Sequence, residues 1–243
     1  MSTDTGAPGN VNLQELKDAL DVVDPLEVMR RYRELMIPRL RAAGPAMSRE
    51  TPYHHPNGFA ILPLPGHLVG REARGPRFRL HVWLDSQVAE EDAHSHAWSF
   101  ASRVIGGALS YEIYVECAPE ESDIVRRKFK FKLGSTGLTA DDEIRIVGLR
   151  PVALGVMTAG SFYTLRSDVI HAARRTYPEG ACTMICLGQY ERDHSVVYID
   201  SGKRDVSVRV DKVPLTAREL DAAVQVAFDG ARALAAGGSV AGR

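Results

Sequence analysis

The chain has 243 residues, 44% of them hydrophobic and 25% charged, and its 30 lysines and arginines nearly balance 31 acidic side chains for a formal net charge of −1. That length can bury a full core without covalent staples, and the even charge argues against nucleic acid or a lipid surface as partner. Three cysteines without CxxC spacing, Cys117, Cys182 and Cys186, fit a reducing cytoplasm better than a disulfide framework or a structural zinc site. The start lacks a basic segment followed by an apolar run, and no apolar stretch approaches the ~20 residues of a membrane span. A soluble, cytoplasmic protein is expected.

In chain order, the first ten residues are small and polar and read as a frayed start. Two helix caps follow, Asn12 with Glu15 and Asp24 with Glu27, the second with Pro25 at the first helical position. The second helix carries Leu26, Met29, Tyr32, Leu35 and Met36 as an apolar stripe. Pro38 should kink or end it. From residue 58 the texture changes to short β-rich runs, among them "FRLHVWLD", "SYEIYVE", "KFKFKLG" and "ACTMICLGQY", separated by Gly, Pro, Asp and Ser. "VSVRV" is one more possible strand, and Thr216 with Glu219 caps a last helix lined by Leu220, Val224 and Phe228. The order implies a mainly β sandwich or barrel wearing helices at both ends, not alternating βαβ units. We divide it into a helical extension (1–57), a barrel (58–210) and a helix with tail (211–243).

Within "EDAHSHAWSF", His94 and His96 stand two apart in a strand-like segment, so both side chains share one face. A single metal ion asks this of two imidazole ligands, though two half-exposed strand histidines look the same. The second informative segment is "GSFYTLRSDVIH", Gly160 to His171. Together the two segments resemble the paired motifs of the cupins, small double-stranded β-helix (jelly-roll) barrels whose second motif runs from a glycine to a metal-binding histidine. Gly160 and His171 are in register with it. Arg166 stands where a proline is usual and Asp168 where a turn glycine is usual, and aspartate tolerates the left-handed conformation such a turn takes. In the first motif the HxH is kept and Gly106 or Gly107 ends the next strand, but Val88 replaces the leading glycine and Phe100 and Ala101 occupy the place of the glutamate. The resemblance covers roughly residues 58 to 200, and the long connection between the motifs implies an inserted hairpin or loop in "ECAPEESDIVRRKFKFKLGSTGL".

The resemblance implies a metal held by His94, His96 and His171, with a barrel keeping its histidines as mere polar packing as the alternative. Three neutral ligands leave a divalent ion its full charge and open positions. The cupins lacking the acidic ligand that this chain resembles are iron(II) enzymes of the thiol-dioxygenase type, so iron is expected, with manganese, nickel or zinc as alternatives. The implied function is a mononuclear non-haem iron oxygenase acting with dioxygen on a small polar substrate such as an amino acid or a cysteine-like thiol. A non-oxidative isomerase, cyclase or lyase and a non-catalytic binding module are the alternatives. Glu112 and His81 are reserve ligands or partners of the ligands. Tyr163 and Arg103 are candidates for catalytic roles, and Trp98, Arg79, Tyr111 and Arg166 for the substrate pocket. His54 and His55 are expected at the surface, Cys182 and Cys186 as small buried hydrophobes, and "RRKFKFKL" as an edge strand guarded by lysines. A homodimer is expected from the family resemblance.

Overall fold

The computed structural model describes residues 12–43, 48–71, 76–84, 92–133, 142–176, 180–202 and 212–237. Val88 and the "VSVRV" segment lie outside the described residues. Helix α1 (Leu13–Asp21) begins where its cap predicts: Asn12 Oδ1 accepts from the N–H groups of Gln14 and Glu15. Asp24 caps α2 (Pro25–Arg31) in the same way. The helix does not end at Pro38. It widens into a π-turn over Tyr32–Met36, where the Ile37 N–H donates to Tyr32 O, and continues as α3 (Ile37–Ala43). The wider turn makes room for the proline ring, which clashes with the carbonyl four residues back in a regular helix. It also turns the apolar stripe out of phase. Val28, Met29, Tyr32 and Met36 are buried, whereas Leu35 is 51% exposed.

The β strands are β1 (Tyr53–His55), β2 (Phe59–Leu64), β3 (Arg77–Trp83), β4 (Ala93–Ser95), β5 (Phe100–Gly106), β6 (Ala108–Cys117), β7 (Val125–Lys132), β8 (Glu143–Thr158), β9 (Phe162–Leu165), β10 (Ile170–Arg175), β11 (Ala181–Leu187), β12 (His194–Asp200) and β13 (Val213–Pro214). They form two antiparallel sheets. One runs β13-β1-β2-β3-β11-β5-β9, and the other, β10-β4-β12-β7-β8-β6, closes on itself through the pairing of β6 with β10. This is the mainly β fold with helices at both ends that the sequence leads one to expect. β1 and β13, from outside the barrel limits drawn at 58 and 210, both belong to the first sheet.

Alternation along β3 sets the layers. Phe78, Leu80 and Val82 join the core beneath α1, α2 and the last helix, α4 (Ala217–Ala235), while Arg79, His81 and Trp83 point the other way, into the space between the sheets. Each fully buried large side chain in that core, Met29 or Leu80 for example, is worth about 1.5–3 kcal/mol. Cys182 and Cys186 are part of it, and burial pushes the Cys186 thiol up to about 12. α4 lies almost on the backbone of β5: a Cβ at Gly106 would stand 2.7 Å from Gly230 Cα. No described helix is long and apolar enough to cross a membrane.

β7 is not an edge strand. It pairs with β12 on one side and β8 on the other, so the β7–β8 pair is the expected hairpin between the motifs. Its phenylalanines pack with Ile199 and Val197. On its opposite face Lys128 meets Glu116 at 2.5 Å, a carboxylate that also accepts from Tyr198 OH at 2.6 Å and from Arg145 at 2.8 Å. Burial works against that charge, but the three hydrogen bonds outweigh it and hold the Glu116 carboxyl near about 2. Lys128 is drawn in because its partner is, whereas Lys130 faces the exposed Asp193 at 4.0 Å and Lys132 is exposed.

Candidate metal centre

His94 on β4 and His171 on β10 are directly paired across the two strands, and His96 follows the end of β4. Their ring centroids are 4.6 Å (His94–His171), 4.7 Å (His94–His96) and 5.1 Å (His96–His171) apart, and one nitrogen from each lies within 4.8 Å of the others. Backbone carbonyls orient two of the rings. His94 Nδ1 bonds Asp92 O at 3.0 Å, and His171 Nδ1 bonds Val169 O at 3.1 Å. A carbonyl only accepts, so the proton sits on Nδ1 and the lone pair on Nε2. The third ring, His96, stacks on Trp98 at 5.4 Å.

Burial lowers the pKa of all three imidazoles, and the proximity of His94 adds to the effect in the other two; His171 falls to about 3. They are therefore neutral at physiological pH, the state in which imidazole binds a metal. Neutral nitrogen donors with oriented lone pairs suit a divalent cation such as iron, manganese, nickel or zinc.

Two cavities meet at His94 and His96. The inner one, about 350 Å³, is walled by Phe59, Trp83, Phe100, Ile113, Met157 and Leu165. The outer, about 380 Å³, is lined by Tyr53, Arg77, Trp98, Tyr190 and Lys212. His94, His96, Arg79 and His55 border both. Arg79 has its guanidinium 5.8 Å over the Trp98 ring, its Nε is buried, and it has no hydrogen-bond or carboxylate partner among the described residues. Arg79 as a whole is half-buried, and a cation partly withdrawn from water favours an anion beside it.

The remaining candidates divide by strand phase. Tyr111 on β6 lies opposite Ala173, on the His171 face, and with Tyr163 it lines the inner cavity. His81 lines it too, but stacks on Phe59 at 4.4 Å and does not belong to the three-histidine cluster. Glu112 lies opposite Ala172, one residue out of phase with His171, and accepts a hydrogen bond from Tyr114 OH. It cannot be a fourth ligand. Arg103 sits over the Phe162 ring at 5.0 Å and pairs with Met184 of the helix-covered core, so it borders neither cavity. Arg166 is exposed and faces Asp168 at 3.4 Å. Asp168 does not take the left-handed conformation; no described residue other than glycine has positive φ.

Several site residues were not legible in the sequence. His55, expected at the surface, is stacked on Phe59 at 4.4 Å between the cavities, while its neighbour His54 points out to Glu219 at 3.2 Å. Glu191 and Arg192 clasp the two histidine-bearing loops. The Glu191 carboxylate accepts from the Ser99 N–H at 2.8 Å and from the Ser167 hydroxyl at 2.8 Å. Arg192 donates to His96 O at 2.9 Å and to Ser167 O. Neither residue has a spacing that would distinguish it from a solvated loop charge.

Five histidines, His55, His81, His94, His96 and His171, have pKa values lowered chiefly by burial. In the unfolded chain each titrates near 6.5, so below that pH the unfolded state binds more protons and stability falls as pH falls. The expected slope is up to about 1.4 kcal/mol per pH unit for each histidine kept neutral, and for His171 it persists down to about 3. Calorimetric melting of the metal-free protein should be level above pH 7 and fall steeply below 6.5. The His81→Leu variant should show a slope shallower by one proton; an unchanged slope would refute the assignment.

No family model matches the sequence, and no curated protein matches it. Among solved structures, an RmlC-like cupin from Shewanella frigidimarina is similar at 13% identity and a TM-score of 0.32, over 65% of this chain and 91% of that one. An oxalate oxidase is similar at 13% identity and a TM-score of 0.34, over 75% of each chain. A hydroquinone 1,2-dioxygenase from Sphingomonas sp. TTNP3 is similar at 11% identity and a TM-score of 0.30, over 48% of this chain and 62% of that one. These likenesses concern the run of the chain alone, and the chemistry open to the site follows from its own geometry.

Proposed function

We propose that the protein is a metal-dependent oxygenase of the cupin type, holding iron(II) through His94, His96 and His171 and taking an anionic substrate at Arg79. The observation that carries this reading is the convergence of three neutral imidazoles, two of them oriented by backbone carbonyls, beside a half-buried arginine whose Nε is buried and which has no carboxylate partner among the described residues. Iron(II) bound there would supply electrons to dioxygen and open positions beside the substrate. The chain's own groups do the rest. Arg79 fixes the anionic head, the apolar walls exclude water, and the Tyr111 and Tyr163 rings border the reacting space. Three neutral ligands leave the cation's charge unspent, which favours an anionic substrate over a neutral one.

Anaerobic loading with iron(II), followed by oxygen-electrode measurements with a panel of carboxylates, amino acids and thiols, tests the proposal. Oxygen uptake that needs both iron and substrate is the expected result. Turnover of a substrate without air and with zinc in place of iron would replace it with the non-oxidative reading. We also propose a homodimer, to be read by light scattering.

A further inference from the structure

Resting on that reading, we propose that the substrate is a hydroxyaryl carboxylate, with its carboxylate on Arg79, its ring in the inner cavity and its hydroxyl on His81. On β3, two buried polar atoms have no hydrogen-bond partner among the described residues, Arg79 Nε and His81 Nε2, and both residues line the inner cavity. The two atoms belong to residues two apart on the same face of β3, whose Cα atoms are separated by roughly 7 Å at about 3.3 Å per residue. A ligand satisfying both carries an anion at one end and a hydrogen-bonding group at the other. A hydroxyl suits His81 in either tautomer, because it donates as well as accepts.

The space around these groups calls for a flat apolar body. His81 is only 8% exposed; it stacks on Phe59 at 4.4 Å and meets Trp83 edge-on at 6.0 Å. With Phe100, these rings wall a cavity of about 350 Å³, within the size range of small-molecule sites. An aromatic ring gains offset or edge-on contacts there. A cysteine-sized substrate would leave most of those walls uncovered, so the small polar substrate suggested by the family resemblance is a poorer fit to this chamber.

The two tryptophans of the chain, Trp83 and Trp98, line the inner and outer cavities respectively, and their fluorescence reports on occupancy. Calorimetry and fluorescence quenching would compare 4-hydroxyphenylacetate, phenylacetate and cysteine on the full chain, metal-free and zinc-loaded. We expect 4-hydroxyphenylacetate to bind about tenfold tighter than phenylacetate, the value of one satisfied hydrogen bond, and cysteine to bind more weakly than either. Arg79→Met should weaken both aryl acids, and His81→Phe should erase only the preference for the hydroxyl. Cysteine binding as tightly as the aryl acids, or a wild-type protein indifferent to the hydroxyl, overturns the inference without recourse to any variant. So does a hydroxyl preference that survives in a folded His81→Phe protein. Zinc uptake is measured separately. Zinc binding without aryl selectivity sinks this inference and leaves the metal centre standing, whereas aryl selectivity without zinc binding supports it and removes the metal.

Discussion

Replacing His171 with alanine is expected to weaken binding of a divalent cation by more than about 100-fold, since loss of a group that merely orients a ligand already costs 10–100-fold. The geometry leaves no substitute among the described residues. Glu112 is on the other face of its strand, held by Tyr114, and His81 is stacked on Phe59 outside the histidine cluster. A cobalt(II) titration followed by visible absorbance, with zinc calorimetry alongside, measures the effect. His81→Ala serves as the comparison and should keep its affinity within a few-fold. Equal affinity in the His171→Ala and His81→Ala proteins would remove the three-histidine centre and the oxygen chemistry built on it.

The second large effect is expected away from the ligands. Glu191→Ala removes the acceptor for the Ser99 N–H and the Ser167 hydroxyl, leaving donors without a partner in a largely buried setting at about 1–3 kcal/mol. Ser99 follows His96 and Ser167 precedes His171, so the clasp sets the spacing of the two loops. Metal affinity should fall about 10–100-fold and the melting temperature with it. Glu191→Gln keeps one acceptor oxygen and should recover part of both. Loss of stability with unaltered cobalt spectra and affinity would reduce the clasp to a structural tie with no bearing on the metal.

Some of this was open to a reader of the residues alone. The caps at Asn12, Asp24 and Thr216 stand where side-chain oxygens could reach free N–H groups within one turn, a local matter that spacing fully specifies. The shared face of His94 and His96 follows from strand alternation, and the buried pair Cys182 and Cys186 from the same rule. Charges were harder to read. The lysines of β7 looked like the guards of an edge, but the strand has a neighbour on each side and Lys128 is paired with Glu116, because a run of alternating residues says nothing about how many neighbours its strand has. Arg103 and Arg79 have similar β-rich settings; one lies on the helix-covered face and the other between the cavities.

The sequence by itself determined the local periods: where helices start, which strand residues share a face, and that two segments some seventy residues apart each carry a histidine in strand-like surroundings. Only the tertiary structure decided which of those faces meet. The pairing of His94 with His171, the phase that turns Glu112 away, the inward turn of His55 and the clasp of Glu191 and Arg192 all depend on strand register and loop proximity. Register is set by burying one face of every strand at once, a cooperative choice of the whole chain that no short stretch encodes.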